Sequence, residues 1–356
     1  MSAILGEKIK ICIFGESHGR SIGGVLDGMP SGEKVSYDEI KLHMKRRMPE
    51  VSEISTVRYE PDNIKFLSGI VDGYTTGTPI AFEIDNVNHN FDEYSKFNCI
   101  PRPGHADFAA YAKYGKHVDL RGGGHFSGRL TAPIVCAGSI VRQMLERKGI
   151  QLASHIYSIG DIYDDALNVI CVDEDIMKRL QSETFPVISV DKKELMLEAI
   201  LSAKEEGDSI GGIIECMITG VSAGIGNPIF DGLESKFAHA MLSIPGVKGI
   251  DFGSGFDGAR MRGSENNDPF TWQDGKVLTT KNDHGGILSG ISTGMPIYFK
   301  VAIKPTPSIK KEQHTVNIST CKQETIKVTG RHDPSIVSRV AVVVESLAAL
   351  VLADSM

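Results

Sequence analysis

Hydrophobic and polar positions alternate with two distinct periods along the chain, and these periods predict its elements. Lys10–Phe14 is an apolar run that ends at Gly15, as a buried strand does. Ser36 stands three residues before Glu39 and ahead of Ile40, Leu42 and Met44, a capping-box layout that predicts a helix over Ser36–Arg47, stopped by Pro49. Ile64–Ile70 and Pro79–Ile84 read as strands, His105–Tyr114 as a short helix and Gly128–Lys148 as a longer one, with Pro133 tolerated near its first turn. Leu152–Ile159 predicts a strand and Lys192–Glu206 a helix, with Gly207 as its cap. Gly211–Thr219 predicts a strand, Gly232–Leu242 a helix, and Val247–Phe252, Ile287–Ile291 and Pro296–Ile303 three further strands. Ile336–Leu352 predicts a terminal helix whose apolar residues nearly encircle it, which places it in the interior. The order is mixed, without strict alternation, internal repeat or linker-like tract. It implies an α+β fold in a single domain over residues 1–356, and Asp161–Pro186 carries no functional signal.

Composition narrows the class. The 356 residues are 41% hydrophobic and 23% charged, values that fit a globular chain. The apolar stretch Val340–Leu352 is interrupted by Glu345 and Ser346, and no run reaches the roughly 18 apolar residues of a spanning helix. The N-terminus lacks a signal-peptide layout, so a cytoplasmic protein is expected, with no membrane partner. With 38 Lys and Arg against 45 Asp and Glu, the net charge of −7 argues against nucleic acid as a partner. The six cysteines have no pair closer than 35 residues, which excludes a Cys-x-x-Cys site. They are expected to be reduced and mostly buried, and no metal is expected.

Glycine is the outlier, at 38 residues gathered into clusters that contain histidine and charge. Two clusters imitate known motifs. Gly253-Ser-Gly-Phe-Asp-Gly258 has dinucleotide-loop spacing, but the residues to Asp268 predict a loop where that fold needs a helix. Gly290-Ile-Ser-Thr-Gly294 has nucleophile-elbow spacing, but a strand follows where a helix is needed.

Four other segments hold together chemically. Gly15-Glu-Ser-His18-Gly follows a buried strand and presents a histidine, the side chain that exchanges protons near neutral pH. In Arg102-Pro-Gly-His105-Ala-Asp107, a turn delivers His105 and Arg102 to a helix start, a place that favours anions. In Arg121-Gly-Gly-Gly-His125-Phe-Ser127-Gly-Arg129, two arginines bracket three glycines whose backbone N–H groups could form an anion nest. Lys304-Pro-Thr-Pro-Ser308 and Gly330-Arg-His-Asp333-Pro334 read as a stiff polar rim. Together they imply acid–base chemistry on a multiply anionic small molecule, without identifying it.

These segments resemble the chorismate synthase family over nearly the whole chain. The resemblance rests on Phe14–Gly19, Asp27–Gly32, Arg46–Glu50, Thr75–Ile80, Arg102–Asp107, Arg121–Gly124, Gly207–Gly212, Gly285–Gly294, Lys304–Ser308 and Gly330–Pro334. It implies a β-α-β sandwich core with helices packed against antiparallel or mixed sheets, usually assembled as a homotetramer. It further implies anti 1,4-elimination of phosphate from 5-enolpyruvylshikimate 3-phosphate, with reduced FMN required and no net redox change.

Roles follow by position. His18 matches the histidine held to protonate the reduced flavin, His105 the one held to protonate the departing phosphate, and Asp333 an acid acting at flavin N5. Arg47, Arg121 and Arg129 match substrate-binding arginines. His125, Phe126, Ser127, Gly290, Lys304, Pro305, Thr306, Pro307, Ser308 and Arg331 match flavin-binding positions.

Three positions depart from the family pattern: His125-Phe126 where Arg-Ser is common, Pro245-Gly246 at a flavin contact, and Glu53 where an arginine linked to the nicotinamide phosphate is common. Glu53 implies that NADPH acts only indirectly, through an external source of reduced flavin. An FMN-dependent reductase and a non-catalytic anion-binding protein are the alternatives.

Overall fold

The computed structural model describes residues 3–48, 62–87, 99–328 and 333–356. Two five-stranded sheets enclose a layer of helices. The first sheet holds β1 (Ile4–Leu5), β2 (Lys10–Gly15), β3 (Ser21–Asp27), β4 (Ile64–Phe66) and β5 (Ile80–Asp85), in the order β1-β2-β3-β5-β4. The second holds β6 (Gln151–Ile159), β7 (Ile162–Tyr163), β8 (Gly212–Thr219), β9 (Val247–Phe252) and β10 (Ile297–Ile303), in the order β9-β10-β8-β6-β7. Every pairing within both sheets is antiparallel. The helices are α1 (Tyr37–Arg47), α2 (Asp107–Tyr114), α3 (Thr131–Arg147), α4 (Glu174–Ser182), α5 (Val190–Glu205), α6 (Leu233–Met241) and α7 (Val337–Ser355). Helix α3 packs on β2 and β3, and α7 packs on β6 and β8, while α1, α3 and α7 pack on one another. This is the expected α+β, β-α-β sandwich, and its sheets are antiparallel among the described residues.

The middle layer explains the apolar periodicity. Helices α3 and α7 are buried on nearly all sides, because each has a sheet or a helix wherever it turns. They cross closely at Gly138, where a Cβ would lie 2.4 Å from Cβ of Ser346. The polar residues that interrupt α7 are structural. Glu345 accepts from Arg46 at 2.7 and 2.8 Å, from Arg142 at 2.7 Å and from Ser154 Oγ at 2.7 Å. Burial opposes ionisation of Glu345, but the two guanidiniums outweigh it and hold its carboxyl down at about 2. Asp354 accepts the backbone N–H groups of Glu7, Lys8 and Ile9 at 2.7, 2.6 and 3.1 Å, tying the start of the first sheet to the last helix.

Most predicted elements are present, and the differences have causes. Ser36 caps α1 through Glu39 N at 3.3 Å, while Pro49 lies outside the described residues. Strand β3 was not predicted, because Gly23 and Gly24 break the apolar run. A Cβ on Gly23 would meet Phe82 O at 2.3 Å and the Phe14 ring at 2.5 Å, so the strand needs its glycine there. Ile64–Ile70 splits into β4 and a separate bridge at Ile70–Val71. Ile287–Ile291 is not one strand but a tight hairpin, Ile287–Leu288 with Ile291–Ser292, turning at Ser289 and Gly290. The stretch after Gly253 contains single helical turns at Gly255–Gly258 and Gly263–Asn266 where a loop was expected. Of the six cysteines, Cys136 and Cys216 are buried, but Cys99, Cys171 and Cys321 are exposed, so mostly buried thiols is not what the fold provides. No helix among the described residues is long and apolar enough to cross a membrane.

Candidate active site

Loops at the ends of the strands converge on a cavity of about 880 Å³. Strand β2 leaves the first sheet at Gly15, which has φ +103° because a Cβ there would sit 2.6 Å from Ser21 O. The loop that follows docks on the triple-glycine run, with Ser17 N donating to Gly124 O at 3.1 Å and His125 Nδ1 to Gly15 O at 2.9 Å. Gly122, Gly123 and Gly124 all have positive φ. Gly123 N–H is donated within the turn, to Leu120 O at 3.0 Å, so it does not serve an open nest.

The run lets two histidines approach the same backbone. A Cβ on Gly122 would lie 2.2 Å from His18 Cδ2, and one on Gly123 would lie 3.3 Å from His105 Cε1 and Nε2. Any side chain at Gly122 would displace His18. His18 itself is buried and is not part of the cavity wall, whereas His105 is part of it.

The wall brings together Arg47, His105, His125, Phe126, Ser127, Arg129, Lys304, Pro305, Thr306, Pro307, Ser308 and Asp333 from the predicted set. Arg121 and Gly290 lie elsewhere. Arg121 is paired with Asp119 through Nε at 2.9 Å and a terminal nitrogen at 2.6 Å, and Gly290 turns the hairpin with its carbonyl accepting from Leu233 N at 3.0 Å. Arg331, Glu53 and Gly330–His332 fall outside the described residues. Arg102 does not line the cavity. It is buried and its guanidinium is held by Asp107, so its expected role beside the cavity is corrected.

Residues that sequence reasoning missed complete the site. Asp62 accepts from both Arg47 and Arg129. Burial opposes its ionisation, but the two guanidiniums hold its carboxyl below the usual range. Asn86 takes Arg129 Nε on its oxygen at 3.0 Å and donates to Glu16 O and Gly19 O at 3.1 and 2.9 Å, so it couples that arginine to the His18 loop. Arg339, in the first turn of α7, donates to Asp333 at 2.5 Å and to Arg47 O at 2.9 Å. Lys248 also lines the cavity. Burial lowers the Lys304 pKa, and the nearby charge of Lys248 adds to the effect. Thr306 Oγ1 bonds Asp333 O at 2.9 Å, and Lys304 Nζ donates to Gly104 O, so the proline-stiffened loop braces both Asp333 and the His105 turn. Of these residues, only Arg339 left a trace in sequence, as a charge inside an apolar helix.

The charge balance decides what the cavity can hold. Among the described residues its wall carries Arg47, Arg129, Lys248, Lys304 and Arg339 against Asp333, with Asp62 behind Arg47 and Arg129, in a chain whose net charge is −7. Arginine forks suit carboxylates and phosphates. Ile134, Ile336, Val340, Val343 and Leu347 supply an apolar side, and Phe126 a ring. Among the described residues, no group of three or more His, Cys, Asp or Glu is placed to hold a metal ion.

A cavity rich in arginine and lysine, with a histidine in its wall, on an antiparallel α+β sandwich, suits an enzyme that acts on a small polyanion. The family model described as chorismate synthase matches residues 9–356. The chain is 46% identical over 349 residues to a chorismate synthase of Pyrococcus abyssi, covering 98% of this chain and 96% of that one. It is 43% identical over 353 residues to one of Methanosarcina acetivorans, covering 99% and 95%. A crystal structure of a chorismate synthase superposes with a TM-score of 0.77 at 28% identity, covering 98% of this chain and 92% of that chain. The chain belongs to the chorismate synthase family. Its activity is that of the family, a carbon–oxygen lyase reaction on a phosphate ester in the shikimate pathway.

Proposed function

We propose that the cavity is where phosphate leaves 5-enolpyruvylshikimate 3-phosphate by anti 1,4-elimination, in the presence of reduced FMN. The observation that carries this reading is the excess of cations in the wall among the described residues, five against Asp333 and the Asp62 that pairs with Arg47 and Arg129, with His105 in the same wall. The substrate has two carboxylates and a phosphate monoester that alone carries about −1.5 to −2. Arg47 and Arg129 bind its anionic groups and orient it. His105 gives a proton to the departing phosphate, which makes it a better leaving group. His18 and Asp333 serve proton transfer on the flavin side, with Asp333 oriented by Arg339.

The cavity residues fit FMN. Phe126 and the apolar wall suit a flat ring, while Ser127 and Lys304–Ser308 suit a polar tail with a phosphate. When bound, the reduced flavin supplies an electron-rich ring that assists C–O cleavage and is not consumed.

We further propose that NADPH acts only through an external flavin reductant, because Glu53 would repel its phosphate. A single domain is supported by the main hydrophobic cluster, which runs from Ile9 to Ala353 beside a small one around Leu180 and Met217. A homotetramer is supported by exposed apolar side chains such as Phe230 at 87% and Trp272 at 76% exposure. A cytoplasmic location agrees with the absence, among the described residues, of a helix suited to cross a membrane.

The test is anaerobic turnover of 5-enolpyruvylshikimate 3-phosphate with photoreduced FMN and no NADPH. Many phosphates released per flavin, with the flavin still reduced, is the expected result. Release only with NADPH, or one reductant consumed per phosphate, would contradict it.

A further inference from the structure

The Gly207–Gly212 motif runs from the end of α5 into β8, and none of its residues is in the cavity wall. Its backbone nevertheless receives a loop of that wall. A Cβ on Gly211 would lie 2.4 Å from Ile303 O and 3.0 Å from Pro305 N, and one on Gly207, at φ +69°, would lie 3.0 Å from Lys310 Cβ. The two glycines thus admit the loop at both of its ends.

Pro305 and Pro307 carry no N–H, so a strand ladder cannot hold the stretch between them. The motif holds it instead. Ser209 Oγ donates to Thr306 O at 2.7 Å, and Gly207 O accepts from Lys310 N at 2.8 Å. The same turn reaches the wall segment that carries Asp333. Ile210 N donates to Pro334 O at 2.9 Å, and Thr306 Oγ1 donates to Asp333 O at 2.9 Å. The turn is itself anchored to the second sheet, where Gly160 N, at the end of β6, donates to Gly211 O at 3.0 Å.

We propose that Ser209 is a positioning residue: together with Ile210 it sets Lys304–Ser308 and Asp333 in one arrangement, so that the place for the flavin's polar tail is formed before the flavin arrives. This rests on the flavin site proposed for that loop. A loop ordered in advance loses less freedom when its ligand binds. Without the Ser209 hydroxyl, the loop and the Asp333 segment lose their common support.

The test measures binding of oxidised FMN to the full-length protein by flavin fluorescence, with 5-enolpyruvylshikimate 3-phosphate present, alongside turnover with reduced FMN. Ser209→Ala should weaken FMN binding by about three- to tenfold, the scale of one neutral hydrogen bond, with the KM for the phosphate ester within about twofold. Ser209→Thr, which keeps the hydroxyl, should restore FMN affinity. Unchanged FMN affinity in Ser209→Ala, while Lys304→Gln in the wall weakens it, would overturn the brace alone. No effect of either variant would overturn the flavin site together with it. Hydrogen exchange of the wild type covers a Ser209 variant that does not fold. Exchange at Ile210 and Lys310 N–H should slow at least about threefold when FMN and the phosphate ester are added, and unchanged exchange would overturn the proposal.

Discussion

Arg46 and Arg47 are neighbours in the last turn of α1, and both are almost wholly buried, yet their surroundings differ in kind. Arg46 turns into the helical layer and shares Glu345 with Arg142, and Ser154 and the Leu152 carbonyl complete the bonding. Arg47 lines the cavity and shares Asp62 with Arg129, within a wall where cations outnumber acids. Both groups place two guanidiniums on one carboxylate. In the core, Arg142 also holds Glu146 at 2.7 Å, so charge is balanced by protein alone. At the cavity, among the described residues, the pair on Asp62 lies beside Lys248, Lys304 and Arg339 as well. The same pairing thus joins helices in the core and lines a cavity rich in cations at the strand ends, so burial alone does not mark an arginine as a binding residue.

The predictions probe this contrast. The largest effect belongs to the cavity: His105→Ala should reduce phosphate release by about 10²–10⁴-fold with unchanged thermal unfolding, the range for loss of a general acid. Next comes the core. Glu345→Ala should lower the unfolding free energy by about 3–5 kcal/mol, since two buried guanidiniums lose their anion, while activity per folded molecule is kept. Denaturant unfolding and active-site titration measure the two halves of that statement.

Gly122→Ala lies between these regions in kind. Its Cβ would meet the His18 ring at 2.2 Å and its φ of +58° disfavours a side chain, so activity should fall at least about tenfold for roughly 1–2 kcal/mol of stability. Activity at wild-type level would show that His18 need not sit where it does.

The smallest effect is a pH slope. His43 donates or accepts at Ser139 Oγ at 2.8 Å, and burial first, then Arg142, brings its pKa down to about 3, with Glu345 opposing and Arg46 adding to the effect. The unfolded chain takes up this proton below about pH 6.5 while the folded one does not, so stability falls as pH drops from 6.5 toward 3. His43→Gln should flatten that slope relative to wild type and change little above pH 7. An unchanged difference between pH 7 and 5 would mean that His43 is protonated in the fold. Glu345 loses its own contribution as pH falls from about 4.5 toward 2, below most of this window.

Much of the fold was legible because its signals are local. Ser36 announces α1, Gly207 closes α5 at φ +69°, and the apolar residues that nearly encircle α7 place it inside. Strand β3 was missed because Gly23 serves Phe14 and Phe82, a need visible only across strands. The hairpin Glu312–Asn317 with Lys322–Lys327 was missed because neither strand has a fully buried face to write an apolar alternation.

The site divides in the same way. Motifs on turns could be read, since glycine and proline fix them locally. Asp62 and Asn86 could not, because their partners lie far away in sequence. Nor could the opposite destinations of Arg46 and Arg47, which depend on what packs around each side of α1. Arg102 was misassigned because its partner Asp107, five residues on, competes with any ligand at shorter range.

The most direct measurement substitutes the two neighbours in parallel, Arg46→Met and Arg47→Met, and records for each the unfolding midpoint and kcat/KM for phosphate release. The contrast predicts that Arg46→Met mainly lowers the midpoint and keeps the kcat/KM of the folded fraction. It predicts that Arg47→Met lowers kcat/KM by about tenfold or more, the scale of one lost charge-assisted contact, with a smaller shift in midpoint. If Arg47→Met left kcat/KM intact, or Arg46→Met removed it in fully folded protein, the assignment of the cavity as the reaction site would be contradicted.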